Sequence, residues 1–165
     1  NDKMEHTEKQ LTEQEVLARL AALCSRAEHC TGEMIEKMRR WGVNEDQQER
    51  IIAYLVSHKY VDDERYCRFF VRDKMRYNRW GRRKIEQALY VKRVSRDIYA
   101  PILDELEVDE YVETLRSLLE SKRRTLKSST AYERNQKLIK FALGRGFEMD
   151  VIKKCIDDVD EYPEE

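Results

Sequence analysis

The stretch that decides the fold is Tyr60–Val94, YVDDERYCRFFVRDKMRYNRWGRRKIEQALYVKRV. Its spacing predicts two helices joined at Trp80-Gly81. Asp62, Asp63 and Glu64 stand at the opening of the first, where the positive end of the helix dipole favours acids. Cys67, Phe70, Val71 and Met75 recur at helical intervals and predict a buried stripe. Arg65, Arg68, Arg72, Arg76 and Arg79 follow steps of 3, 4, 4 and 3, so they share one basic ridge on another side. Arg82, Arg83 and Lys84 carry the charge into the second helix, whose buried face is expected at Ile85, Leu89 and Val94. From Asp62 to Arg96 there are 12 Lys/Arg against 5 Asp/Glu, a net of +7 in a chain of formal net charge -1. Positive charge is concentrated here.

Composition points the same way. Of the 165 residues, 39% are charged and 41% hydrophobic, with 5 Gly and 2 Pro, a profile of long charge-covered helices rather than a turn-rich sheet protein. No alternating β-branched run of strand length occurs. No apolar run approaches the ~20 residues of a membrane span, and no signal-peptide pattern is present. The chain opens on Asn1 rather than Met, which reads as a fragment or a processed start. The expectation is a soluble, cytoplasmic protein. Cys24, Cys30, Cys67 and Cys155 are scattered and form no CxxC, so they read as small buried hydrophobes in a reducing compartment. His29-Cys30 has no second pair at ligand spacing, and no metal or other cofactor is expected.

One pattern recurs three times. After a polar segment, 1–11, expected to fray, Thr12 and Glu15 have the spacing of a capping box, and Val16, Leu17, Leu20, Leu23, Cys24 and Ala27 supply a helical face. A second helix carries Met34, Ile35 and Met38 and stops at Trp41-Gly42; a third starts at Asn44 and carries Ile51, Ile52, Leu55 and Val56. The order returns over 61–107, with Ser95 as the start of its last helix. It returns again over 108–160, through Val112, Leu115, Leu118 and Leu119, then Leu138, Ile139 and Ala142, then Val151, Ile152, Cys155 and Ile156. Val43, Val94 and Phe147 set the units 51 and 53 residues apart. Units of ~50 residues are marginal alone, and stacking buries the faces that one unit leaves open. The predicted fold is therefore all-α: an elongated tandem array of three three-helix repeats, at 12–60, 61–107 and 108–160, with an acidic tail at 161–165. Pro101 falls inside the helix that starts at Ser95, where it is expected to kink or interrupt the ladder at ~3 kcal/mol. Ser121 to Ala131, SKRRTLKSSTA, is either a helix end with a loop or a linker, with Thr130 and Glu133 able to start the next helix.

No glycine-rich phosphate loop, GxSxG or HExxH motif occurs, and adjacent carboxylates such as Asp157-Asp158 point apart on a helix. The reading is non-enzymatic. Charge segregation is the informative feature. Besides the +7 tract, Lys122 to Arg145 holds Lys122, Arg123, Arg124, Lys127, Arg134, Lys137, Lys140 and Arg145 against Glu133 alone, again +7. If the units stack in phase, the two tracts line one groove that meets phosphates or an acidic protein surface. The competing reading of the ridge is a solvated helix face whose arginine stems cover apolar neighbours. Arg65 either pairs with a nearby acid or joins the contact surface. Tyr66, Tyr77, Trp80 and Tyr90 intersperse the basic tract, as in a single-strand stacking platform, although core packing is the commoner fate of such residues. Tyr77 and Trp80 are the candidate stacking residues, with Trp80 expected to be exposed.

Tyr60-Val61-Asp62-Asp63-Glu64-Arg65-Tyr66-Cys67, Phe70-Val71, Gly81-Arg82-Arg83-Lys84-Ile85 and Lys92-Arg93-Val94 together resemble the bacterial RecX regulators. The match is dense over about 35 residues and looser along the rest. It departs from the pattern in the third unit, which has no DDxR copy, and at Arg93, where a glycine closes the first and third units. The resemblance implies three tandem three-helix repeats. It also implies a non-enzymatic monomer that binds the groove of the RecA–DNA filament and restrains the recombinase, with weak, nonspecific affinity for single- or double-stranded DNA. The implied contacts are Arg65, Arg68, Arg72, Arg76, Arg79, Arg82, Arg83 and Lys84, with Lys122, Arg123, Arg124, Lys127, Lys137 and Lys140 from the second tract. A stand-alone helix-turn-helix-like DNA-binding protein is the alternative, since three-helix units can place their second helix in a major groove. A HEAT- or armadillo-like scaffold fits less well, its repeats of ~40–47 residues being too short.

Overall fold

A computed structural model of the chain describes residues 10–128 and 130–159. Among them it is all helix: α1 (Glu13–Arg26), α2 (Thr31–Arg40), α3 (Glu45–Ser57), α4 (Asp63–Asp73), α5 (Arg82–Val91), α6 (Arg96–Asp104), α7 (Val108–Thr125), α8 (Ala131–Gly144) and α9 (Met149–Val159). The acidic tail expected at 161–165 lies outside the described residues, as does the start of the frayed segment, of which Leu11 packs on the first core. No described helix is long and apolar enough to cross a membrane.

Helix starts follow the local chemistry. A helix leaves its first amides without intrahelical partners, and a side-chain oxygen just before it can accept from one. Thr12 Oγ1 accepts from the Glu15 amide at 3.2 Å and donates to its carboxylate at 3.1 Å. Asn44 Oδ1 accepts from Gln47 at 2.9 Å, and Thr130 Oγ1 from Glu133 at 3.1 Å. Ser95 starts α6 through its carbonyl, which accepts from Ile98 and Tyr99 at 3.0 and 3.1 Å, while its hydroxyl makes no capping bond.

Pro101 does not interrupt α6, which runs on to Asp104. The missing amide removes one rung of a nine-residue helix, and Tyr99, Ile102 and Leu103, all buried, pin the backbone on both sides of it. Ser121–Thr125 continues α7, so the break between α7 and α8 is shorter than the sequence allows.

The chain gathers into two compact units. The first takes the residues up to Tyr66 together with Lys92–Val94, around a core of Val16, Leu20, Met34, Met38, Ile51 and Leu55. Val56, expected inside, is 48% exposed. The second takes Cys67–Val91 and the residues from Ser95 onward. Its core includes Val71, Ile85, Leu89, Leu115, Leu119, Leu138 and Ile152, with Tyr111 and Phe147 tilted against each other at 5.2 Å.

Each unit contains a seam where backbone meets backbone. In the first, Gly32 at the start of α2 lies against the Lys92 carbonyl, with no room for a Cβ. Lys92 Nζ reaches Glu33 at 3.4 Å, and the Thr31 amide donates to Asp63 at 2.7 Å. In the second, Gly81 lies against the backbone of Gly146 and Phe147, again leaving no space for a Cβ. There the Gly81 amide donates to the Arg145 carbonyl at 2.8 Å and the Arg83 amide to the Gly146 carbonyl at 3.0 Å. The receiving turns, Lys92–Val94 and Arg145–Phe147, are in register across the sequence repeat. Both pass through left-handed backbone, at φ 61° for Arg93 and 95° for Gly146. Arg93 thus adopts the glycine conformation without being glycine, at a cost of roughly 1–2 kcal/mol.

A half-buried polar node fixes α5 above its seam. The Tyr111 hydroxyl, on α7, donates to Glu148 Oε1 at 2.6 Å and accepts from the Arg82 amide at 3.0 Å. Arg82 lays its guanidinium 4.1 Å from the centre of the Tyr111 ring, bonds Glu148 Oε2 at 3.2 Å and donates from Nε to the Leu103 carbonyl at 3.2 Å. Burial, with the Glu148 carboxylate beside it, holds the Tyr111 hydroxyl well above the ordinary tyrosine range, so it remains a donor.

Gly81→Ala is expected to destabilise the chain by about 1–3 kcal/mol in urea unfolding, because backbone on both sides must shift. Gly144→Ala, at a helical position with open space around it, is expected to leave stability unchanged or raise it by up to about 1 kcal/mol. Tyr111→Phe leaves the Arg82 amide and a half-buried carboxylate short of a partner and is expected to cost about 1–3 kcal/mol, read as a fall in thermal midpoint at unchanged helicity.

Candidate functional site

The arginines of the ridge have unequal surroundings. Arg65 is committed within the first unit: its Nε bonds both oxygens of Glu28 at 2.9 and 3.0 Å, and its terminal nitrogens bond the Lys59 carbonyl at 3.3 Å. In the second unit Arg68 pairs with Glu105 at 2.8 Å and Arg76 with Glu110 at 3.7 Å, all four side chains about half exposed. Arg72 stands one turn from each and has no ion pair among the described residues. These three arginines border a shallow cleft whose floor is Val71, Met75, Ile102 and Leu106 and whose far rim is Glu105 and Glu110. Arg82 points inward to the Tyr111–Glu148 node.

The second tract is similarly divided. Lys122 and Arg145 lie over the Phe141 ring at 5.1 and 5.6 Å. Lys137 turns back to Glu133 at 3.5 Å and to the Lys127 carbonyl at 3.2 Å. Arg123 is half-buried, whereas Arg124, Lys127 and Lys140 are exposed. The two tracts meet at the seam of the second unit, where the Lys84 side chain starts against Gly146 and the Gly81 amide binds Arg145.

The remaining cations cluster where α4 hands over to α5. After Asp73 the helix widens into a π turn, Lys74–Asn78, closed by Arg79 in the left-handed region at φ 53°. The amides of Arg79 and Trp80 both donate to the Lys74 carbonyl, the second at 3.1 Å. That geometry folds Trp80 back toward α4, so the ring expected in solvent is half-buried, with the Lys74 and Lys84 ammoniums 5.0 and 4.7 Å from its centre. Tyr77, inside the π turn, is 83% exposed. Lys74, Lys84, Arg79 and Arg83 have no ion pair among the described residues.

Two of these residues escape the sequence pattern. Lys74 lies off the ridge spacing and becomes part of the cluster only through the π turn. Tyr111 begins a Tyr111–Leu115–Leu118 face that helical periodicity contains, whereas the sequence reading starts that face at Val112. Of the cysteines, Cys30, Cys67 and Cys155 are buried, and burial pushes the Cys30 thiol up to about 12. No group of three or more metal-ligating side chains occurs among the described residues.

Comparison with known proteins gives a consistent result. Residues 62–100 match the family description "RecX, second three-helix domain" and residues 109–156 match "RecX, third three-helix domain". A regulatory protein RecX from Clostridium perfringens strain 13 is 33% identical over 126 residues, 75% of this chain and 58% of the relative. The chain therefore spans less than two thirds of that clostridial relative's length. One from Vibrio campbellii is 32% identical over 139 residues, 84% of this chain and 88% of the relative. The crystal structure of RecX from Lactobacillus salivarius superposes with a TM-score of 0.81 at 22% identity, covering 91% of this chain and 97% of that one, and so shares the fold. The chain belongs to the RecX family.

Proposed function

We propose that the chain is a non-enzymatic regulator of the RecA recombinase that binds the recombinase–DNA filament and restrains it. The observation that carries this reading is the concentration of uncommitted cations on one stretch of a nearly neutral family member. Arg72, Arg79, Arg83, Lys74 and Lys84 have no ion pair among the described residues, while Arg68 and Arg76 hold theirs through exposed pairs worth only ~0–1 kcal/mol. Such pairs exchange readily for an acidic filament surface or for phosphates. In this role the protein acts as a monomer, in the cytoplasm and stoichiometrically, by occupying the filament groove, and it needs no cofactor because ATP is hydrolysed by the recombinase. Arg68, Arg72 and Arg76 form the protein-facing rim, and Arg124, Lys127 and Lys140 are the exposed cations that the second tract offers.

A second reading is a stand-alone duplex reader. Arg83, Gln87 and Tyr90 lie exposed on one face of α5, the middle helix of its set of three, as a groove-reading helix requires. That reading expects tight, sequence-selective duplex binding without a partner; the first expects weak nonspecific DNA binding and strong filament binding. Filter binding with and without recombinase separates the two.

Arg68→Glu, Arg72→Glu and Arg76→Glu together are expected to weaken inhibition of recombinase ATP hydrolysis roughly tenfold or more while helicity persists. Full inhibition by the folded triple variant counts against the rim.

A further inference from the structure

We infer that the α4–α5 junction is a phosphate clamp for a single nucleic-acid strand, with the Lys74 and Lys84 ammoniums as its two charges and Trp80 as the spacer that holds them. The inference deepens the proposed role at the filament and rests on it for its setting, but the binding is a property of the chain alone.

The first support is how charge is committed within the second unit. Arg68, Arg76 and Arg82 each hold a carboxylate, at 2.8, 3.7 and 3.2 Å. Around Trp80 the same unit brings two lysines onto one indole, and neither has an ion pair among the described residues. An ammonium over an aromatic ring keeps its charge and its donors, and a phosphate oxygen can take those donors without displacing a carboxylate. Lysine is a compact point charge suited to phosphate, whereas Arg68, Arg76 and Arg82 give their guanidinium nitrogens to carboxylates.

The second support is the cost of the geometry. A π turn followed by a left-handed arginine is a strained way to end a helix, and such strain gathers at functional sites. Here it has an identifiable product. It turns the Trp80 amide onto the Lys74 carbonyl and thereby sets Lys74 beside the same ring that Lys84 approaches from α5.

The third support decides between a nucleic-acid strand and an acidic protein. Tyr77 rises from the π turn with 83% of its surface exposed, three residues before Trp80. An uncovered aromatic ring in the turn that leads to a cation-flanked indole is what a single strand uses, its base stacking while the flanking phosphates meet the charges. A surface of carboxylates alone offers no base face for the ring to stack on.

The test uses the whole chain with Trp41→Phe, which leaves Trp80 the sole tryptophan of the 2 present. Adding a short unstructured deoxythymidine oligomer is expected to shift Trp80 emission saturably. Adding Lys74→Gln and Lys84→Gln is expected to weaken binding roughly tenfold at low salt and to reduce the slope of log affinity against log salt by about 1.4, two contacts at about 0.7 each. Tyr77→Ala is expected to weaken oligomer binding without changing that slope, and circular dichroism confirms that each variant is folded. An unmoved Trp80 emission under saturating oligomer, or an unchanged salt slope in the folded lysine variant, overturns the clamp. So does an equal response to polyglutamate, which would assign the junction to an acidic protein. Loss of recombinase inhibition by the ridge variant with oligomer binding intact separates the two sites and supports the clamp.

Discussion

The closest constraint in the second unit is the contact of two stretches of backbone, Gly81 against Gly146 and Phe147. No side chain fits between them, and two amide–carbonyl bonds of 2.8 and 3.0 Å cross the gap. With the start of α5 fixed there, the directions of the next three residues follow. Arg82 turns inward to Tyr111 and Glu148, Arg83 faces solvent, and Lys84 leaves along Gly146 toward Trp80. Three consecutive cations therefore have three fates. The first unit uses the same device at Gly32 and Lys92, although the two glycines do not occupy matching places in the sequence repeat. What matches is the receiving turn, with left-handed backbone at Arg93 and at Gly146.

This arrangement sorts basic side chains into structural and available ones. Half-buried Arg82, in its hydrogen-bonded node, would leave a desolvated carboxylate behind if removed, so it belongs to the fold. Arg68 and Arg76 are intermediate cases, their exposed pairs being too weak to account for stability and easily traded for another acid. The lysines around Trp80 are held by an aromatic ring, which positions a charge without neutralising it. Local net charge, even at +7, does not distinguish these classes. The acids that decide the matter, Glu105, Glu110 and Glu148, come from later in the sequence.

Much of the architecture is legible in the amino-acid order. The capping residues Thr12, Asn44 and Thr130, the buried faces of α7 and α9, and the glycine-type turns at Gly42 and Gly146 all lie where local chemistry places them. Those features depend on neighbours within one helical turn. The pairings of Arg65 with Glu28 and of Arg68 with Glu105 do not, since each spans 37 residues of sequence. Trp80 is half-buried because of a π turn that no spacing rule announces, and Lys74 joins the basic cluster for the same reason. Pro101 is tolerated because its flanking residues are buried, which is a tertiary fact. Helix existence is thus local information, whereas the assignment of each cation is not.

If the seam at Gly81 organises the second unit, its amides open only when the unit does. Native-state hydrogen exchange resolved at Gly81 and Arg83 measures this directly. Both amides are expected to exchange with the free energy and denaturant dependence of global unfolding, matching the core of α7. Exchange at a low, denaturant-independent free energy, like that of a fraying helix end, would show that the two backbones part freely and would contradict the account.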